Sequence, residues 1–278
     1  MFTETIRPAI DYSAHSLKTD GRDIRVDCYV GYKTCDEAPR RPAVVIFPGG
    51  GYAGQSPREA EPIALTFAAQ GYAAFVLWYT VKPGEFPCAL LEAAWTVNFV
   101  REHADEWNID PKRVLVCGFS AGGHLAASIG TLWNSPEVRD ILGFKNREGR
   151  PDGMVLCYPV ISSGEFIEHG SFQNLLGSRS EDLELRSRLS LENAVDSETP
   201  PAFIWHTAED SLVPVENSLL MATALSKHSI PFELHIIPFG YHGLALSRPE
   251  TGEKKENMIP WVTEWPKFAA QWFDTVNP

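Results

Sequence analysis

From Asp23 to Val30 the chain alternates, with Asp23, Arg25 and Asp27 set against Ile24, Val26 and Cys28. A period of two is that of a strand with one wet face, so an edge or antiparallel position is expected. Ala43-Val44-Val45-Ile46-Phe47 shows no such alternation. A continuous apolar run of this length suits a strand covered on both faces, in the centre of a sheet. Similar short runs recur at Tyr72 to Tyr79, Arg113 to Cys117, Gly153 to Tyr158, Ala202 to His206 and Phe232 to Ile237. Between them lie helical patterns. One spans Glu59 to Gln70 and ends at Gly71; another starts at Pro87, and its apolar Leu90, Ala94, Val97, Val100, Ala104 and Trp107 recur at spacings of three and four. Further helices are expected at Ala121 to Leu132, Val215 to His228 and Pro266 to Thr275, and Asn108-Ile109-Asp110-Pro111 reads as a turn.

Strands alternating with helices predict an α/β fold: a mainly parallel, doubly wound sheet of about seven or eight strands with helices on both faces. Sites in such sheets form beyond the strands' C-terminal ends, the places here of Pro48, Ser120, Pro159, Thr207 and Phe239. No linker or repeat divides residues 1–278, which are expected to form one domain. The segment from Ile161 to Thr199 breaks the rhythm. It reads as an insertion or cap over the site, helical from Glu181 to Leu191.

Composition narrows the function. Apolar residues make up 44% and charged residues 22%, as in a soluble globular protein. A formal net charge of -12 argues against nucleic acid or an anionic membrane as partner. Glu4, Arg7, Asp11 and Lys18 interrupt the first twenty residues, unlike a secretory signal, and no run is long enough to span a bilayer, so a cytoplasmic location is expected. Five cysteines show no metal-ligand spacing; Cys28, Cys117 and Cys157 fall in strand-like runs and read as small buried hydrophobes.

Gly118-Phe119-Ser120-Ala121-Gly122 lies between a strand and an Ala-rich helix. This spacing suits a sharp turn that only small neighbours tolerate, presenting the Ser120 hydroxyl at a helix N-terminus. A serine nucleophile needs an imidazole base, and the base needs a carboxylate to fix its tautomer. In a doubly wound hydrolase the order is serine, acid, histidine. His15 and His103 precede Ser120, His124 lies on its helix, and His169 and His206 come before the best acid, Asp210. His228 and His235 fall inside a helix and a strand. His242, in the glycine-bracketed loop Phe239-Gly240-Tyr241-His242-Gly243, is left as the base; Glu209 is the alternative acid. Backbone N–H groups of Gly50, Gly51 and Ala121 are the candidate donors to a tetrahedral oxyanion.

Pro48-Gly49-Gly50-Gly51-Tyr52, Asn108 to Pro111, Gly118 to His124 and the Asp210 and His242 loops resemble the α/β-hydrolase esterases related to bacterial acetyl xylan esterases and the hormone-sensitive-lipase group. The similarity runs from about Ala43 to the C-terminus. Pro48 stands where that group often has histidine, but the oxyanion donors would be backbone groups. The resemblance implies a serine esterase acting on short acyl esters, often acetyl groups on carbohydrate, without metal or organic cofactor. An arylformamidase-like amidase or small peptidase would use the same chemistry; a non-catalytic binding module would usually lack a member of the triad. In Ile161 to Thr199 only 12 of 39 residues are Ile, Leu, Val, Phe or Ala, too few for a lipase-type interfacial lid. Among Tyr52, Trp78, Tyr79, Trp205 and Tyr241, near strand ends, Tyr52 and Tyr241 are the candidates to contact a sugar.

Overall fold

One eight-stranded sheet in the computed structural model, which describes residues 1–35 and 37–276, joins an antiparallel flank to a parallel centre. Asp36, Asn277 and Pro278, within the expected domain, lie outside the described residues. β1 (Phe2–Ile6) pairs antiparallel with β2 (Arg25–Val30), the alternating stretch, and β2 pairs antiparallel with β4 (Ala73–Trp78). The remaining ladder is parallel. It runs from β4 through β3 (Arg41–Phe47), β5 (Ile109–Phe119), β6 (Gly153–Cys157) and β7 (Ala202–Thr207) to β8 (Phe232–Ile237) at the edge.

Alternate residues of the central strands feed two separate apolar layers. Val45 and Phe47 pack with α2 (Cys88–Glu102), α3 (Ala121–Leu132) and α7 (Glu216–Lys227), whereas Val44 and Ile46 pack with α1 (Glu61–Ala69) and α8 (Pro260–Val276). Both faces are therefore covered, which is why β3 carries no polar alternation. The expected apolar stripe from Leu90 to Trp107 is buried throughout, although α2 itself stops at Glu102.

Several elements escape the sequence pattern. β1 carries no apolar alternation to announce it: Thr3, Glu4 and Thr5 are exposed, and the strand is defined by its antiparallel pairing with β2. α4 (Pro136–Leu142) is also additional. α8 begins six residues before Pro266, which reads as a helix start but is accommodated inside; Val262 and Trp265, fully buried, hold the earlier turns against the sheet despite the lost ladder bond. Within residues 161–199 two helices form, α5 (His169–Leu176) and α6 (Leu183–Arg188). The first was missed although Phe172, Leu175 and Leu176 have helical spacing and Glu168 caps it, accepting from Gly170 and Ser171 N–H at 2.9 and 2.7 Å. These residues, with Leu185, Leu189 and Leu191, join the same apolar layer as α2 and α3.

Candidate active site

β5 delivers Ser120 into a turn with φ 55° and ψ −120°, a left-handed conformation that costs a non-glycine residue about 1–3 kcal/mol. Backbone bonds hold it there. Ser120 N–H donates to Cys157 O at 3.0 Å, and Ser120 O accepts from His124 and Val160 N–H at 3.0 and 3.1 Å. The two flanking glycines are required by close approach: a Cβ on Gly118 would lie 2.0 Å from Gly122 O, and one on Gly122 would lie 2.1 Å from Phe47 O. The start of α3 is thereby seated directly on the end of β3.

His242, from the loop after β8, places Nε2 2.8 Å from Ser120 Oγ and Nδ1 2.6 Å from Asp210 Oδ2. Since ionised Asp210 only accepts, His242 carries its proton on Nδ1, leaving Nε2 to accept a hydrogen bond from the Ser120 hydroxyl. Asp210, in the loop after β7, is held on every side. Its Oδ1 accepts from Leu212 and Val213 N–H at 3.0 and 2.9 Å, and its Oδ2 also meets His206 Nε2 at 3.2 Å. Burial alone would raise this carboxyl, but hydrogen bonds from His206 and His242, with the backbone N–H of Val213, outweigh it and hold the group below the ordinary carboxylate range. Asp210 therefore stays charged at neutral pH.

His206 was set aside by chain order, yet it is fully buried and touches the acid. Its Nε2 faces two acceptors, Asp210 Oδ2 and Val213 O, so that nitrogen bears the proton and Nδ1 accepts from Ser218 Oγ at 2.8 Å. Its place four residues before Asp210 was the available signal. Glu209, the alternative acid, instead accepts from Gly240 N–H at 3.3 Å.

Ser120 and His242 open into a cleft of about 380 Å³, lined also by Gly50, Gly51, Arg58 and Glu59 and, from the 161–199 segment, by Glu168, Ser171 and Asn174. Gly50 and Gly51 adopt φ 139° and 62°, and Asn174 Nδ2 fixes the loop by donating to Gly51 O at 2.8 Å. Ala121, fully buried, opens α3 immediately behind Ser120. A larger groove, about 720 Å³, lies between α1 and α8 and contains none of these groups.

Two expectations about aromatics need correction. Tyr52 is 2% exposed and spends its hydroxyl on His124 Nδ1 at 3.0 Å, so its ring is packing rather than a sugar platform. Tyr241 stays exposed, but it does not line the cleft and its hydroxyl donates to Glu253. Tyr79 and Trp205 are buried, and Trp78 donates to Asp27 at 2.6 Å on the antiparallel flank.

Residues 27–225 match the BD-FAE family model. The chain belongs to the BD-FAE family. It is 41% identical over 222 residues to Endo-1,4-beta-xylanase B of Butyrivibrio fibrisolvens, covering 76% of this chain and 34% of that protein. To the acetylxylan esterase of Xylanibacter ruminicola it is 37% identical over 233 residues, 82% of this chain and 45% of that one. It thus spans less than half the length of either curated relative. The crystal structure of an acetyl ester-xyloside bifunctional hydrolase from Caldicellulosiruptor lactoaceticus superposes with a TM-score of 0.80 at 41% identity, covering 97% of this chain and 92% of that one. The α/β-hydrolase fold and the kinship with acetyl xylan esterases expected from the motifs are both met in this BD-FAE member.

Proposed function

We propose that this BD-FAE protein is a serine esterase that hydrolyses short acyl esters, above all acetyl esters on carbohydrate. The observation that carries the reading is the continuous hydrogen-bonded line Ser120–His242–Asp210, with the serine on a strained turn. In the reaction, Ser120 Oγ attacks the ester carbonyl while His242 Nε2 takes its proton; the imidazolium is stabilised by Asp210. The oxyanion accepts from the N–H groups of Gly50, Gly51 and Ala121. Collapse breaks the bond to the leaving oxygen, which receives the proton from His242. Water, deprotonated by the same Nε2, then attacks the acyl-enzyme and releases the acid and free Ser120.

Several features favour a small polar ester. The cleft is modest, and Arg58, Ser171, Asn174 and Glu168 present polar groups or charge along its walls. The names of the xylan-related relatives suggest an acetylated xylo-oligosaccharide. Five free thiols, four of them buried, suit a reducing compartment and support a cytoplasmic location; among the described residues no helix is long and apolar enough to cross a membrane.

Fluorophosphonate labelling tests the enzyme class: covalent addition to Ser120, abolished in Ser120→Ala, is expected. Acetate release from acetylated xylo-oligosaccharides tests the substrate. Rapid hydrolysis of simple acetates without release from the oligosaccharide would remove the carbohydrate part, and faster turnover of formanilides than of acetate esters would favour the amidase.

A further inference from the structure

Glu59 is a carboxyl with 4% exposure in the wall of the active-site cleft, and the acyl-transfer steps above make no use of it. We infer that Glu59 is a positioning residue that ties the glycine loop to the histidine loop around Ser120. The inference rests on the serine-hydrolase reading and adds a part to it.

The tie can be followed atom by atom. Glu59 Oε2 accepts from Gly49 N–H at 2.8 Å, one residue before Gly50. Its Oε1 accepts from the Tyr158 hydroxyl at 2.7 Å. That hydroxyl in turn accepts from Ala245 N–H at 3.0 Å, three residues beyond His242, and the Tyr158 ring meets the His242 ring edge-on at 5.1 Å. Gly49 follows β3 and Ala245 lies beyond β8, with β5, β6 and β7 between those strands in the sheet. No ladder can couple strands so far apart. A carboxylate and a phenol span the gap, anchored midway by Tyr158 at the end of β6.

The chemistry of the group fits the task. An oxyanion hole is useful only when its donors are already aimed, and a base only when it is already in line. Burial pushes the Glu59 carboxyl up, opposed by the bonds from Tyr158 and Gly49 and by the nearby His242 and Arg58 side chains. For stability alone, apolar side chains of similar volume often serve as well as a buried charged group. One carboxylate oxygen here is committed directly to the loop that carries the proposed donors, and the other, through Tyr158, to the loop that carries the proposed base.

The experiment compares wild type with Glu59→Gln, Glu59→Ala and Tyr158→Phe, using p-nitrophenyl acetate turnover, thermal unfolding and amide hydrogen exchange. Glu59→Ala should lose about 100-fold in kcat, with KM within about threefold, the pattern of lost transition-state stabilisation. Glu59→Gln keeps one acceptor for Gly49 and should lose about 10-fold. Tyr158→Phe should resemble it, and the double variant Glu59→Ala with Tyr158→Phe should be no slower than Glu59→Ala alone, because both cut one connection. Exchange should quicken in residues 48–54 and 240–247 together in each single variant. Unchanged kcat in folded variants, losses confined to KM, additive losses, or exchange that quickens in one segment only would each overturn the inference. If Glu59→Ala does not fold, Glu59→Gln and Tyr158→Phe decide it by the same readouts. A wild type that neither turns over nor takes fluorophosphonate would defeat the hydrolase reading instead, and the exchange measurement would still judge the tie.

Discussion

Tyr52 donates its hydroxyl proton to Nδ1 of His124, joining the glycine loop to the helix that begins just after Ser120. The direction follows from the other ring nitrogen, since His124 Nε2 lies 3.0 Å from Leu189 O and must bear the hydrogen. One neutral imidazole therefore fastens the 161–199 segment, the helix after Ser120 and the glycine loop to one another.

Neutrality of that ring gives a pH prediction. Burial lowers the His124 pKa from 6.5 to about 4, opposed by the hydrogen bond to Leu189 O. The unfolded chain then binds the extra proton first, so this group's contribution is complete above about 6.5 and is lost as pH falls toward 4. The linkage amounts to about 3 kcal/mol. Wild type should lose thermal stability across this window more steeply than His124→Asn, and parallel pH profiles of the two would refute the assignment.

Under the proposed mechanism, in which the three residues act as a unit, Ser120→Ala and His242→Ala should each reduce turnover by at least about 10³-fold, with the unfolding midpoint little changed. Near-normal turnover in His242→Ala would show that another base operates.

Gly122→Ala should be damaging out of proportion to one methyl group. The added Cβ would meet the backbone oxygens of Phe47 and Pro48 at 2.1 and 2.7 Å, which cannot swing aside. A loss of about 2–4 kcal/mol together with most activity is expected. An unfolding curve matching wild type would mean that α3 is not seated on β3 as described.

Chelation should leave turnover unchanged, since each proton and charge in the proposed reaction is handled by Ser120, His242, Asp210 and backbone donors. Inactivation by EDTA, reversed by zinc, would count against that mechanism.

In a series of p-nitrophenyl esters, kcat/KM should peak at acetate to butyrate, given a cleft of about 380 Å³ with polar groups along its walls. A maximum at octanoate or longer would point to an acyl tunnel that this cleft does not provide.

Much of this was readable from the chain because the informative residues face strong local constraints. Continuous apolar runs mark the central strands β3 to β7, β8 shows a run broken by Glu233 and His235, and Gly118 and Gly122 mark the elbow because backbone contacts leave no room for a side chain. Ser120, Asp210 and His242 were picked by motif, order and loop position, and the structure brings them into one hydrogen-bonded line. Glu59 and His206 could not be recognised in that way. Gly49 and Tyr158 meet Glu59 only after the sheet has formed; Asp210 is four residues from His206, but a lone acid near a helix start or a histidine in a strand has many duller explanations. Tyr52 misled for the same reason: nearness to a strand end does not tell which way a ring turns.

The place of β8 at the margin of the sheet has a kinetic consequence. This strand is bonded to β7 alone, and most of its residues are only half-buried, yet the histidine follows directly from it. Opening from an edge costs less than opening from the centre. On warming, fraying there would carry His242 away from a serine still seated on the intact middle of the sheet. On this account the Ser120–His242 hydrogen bond should open at a lower temperature than the centre of the sheet.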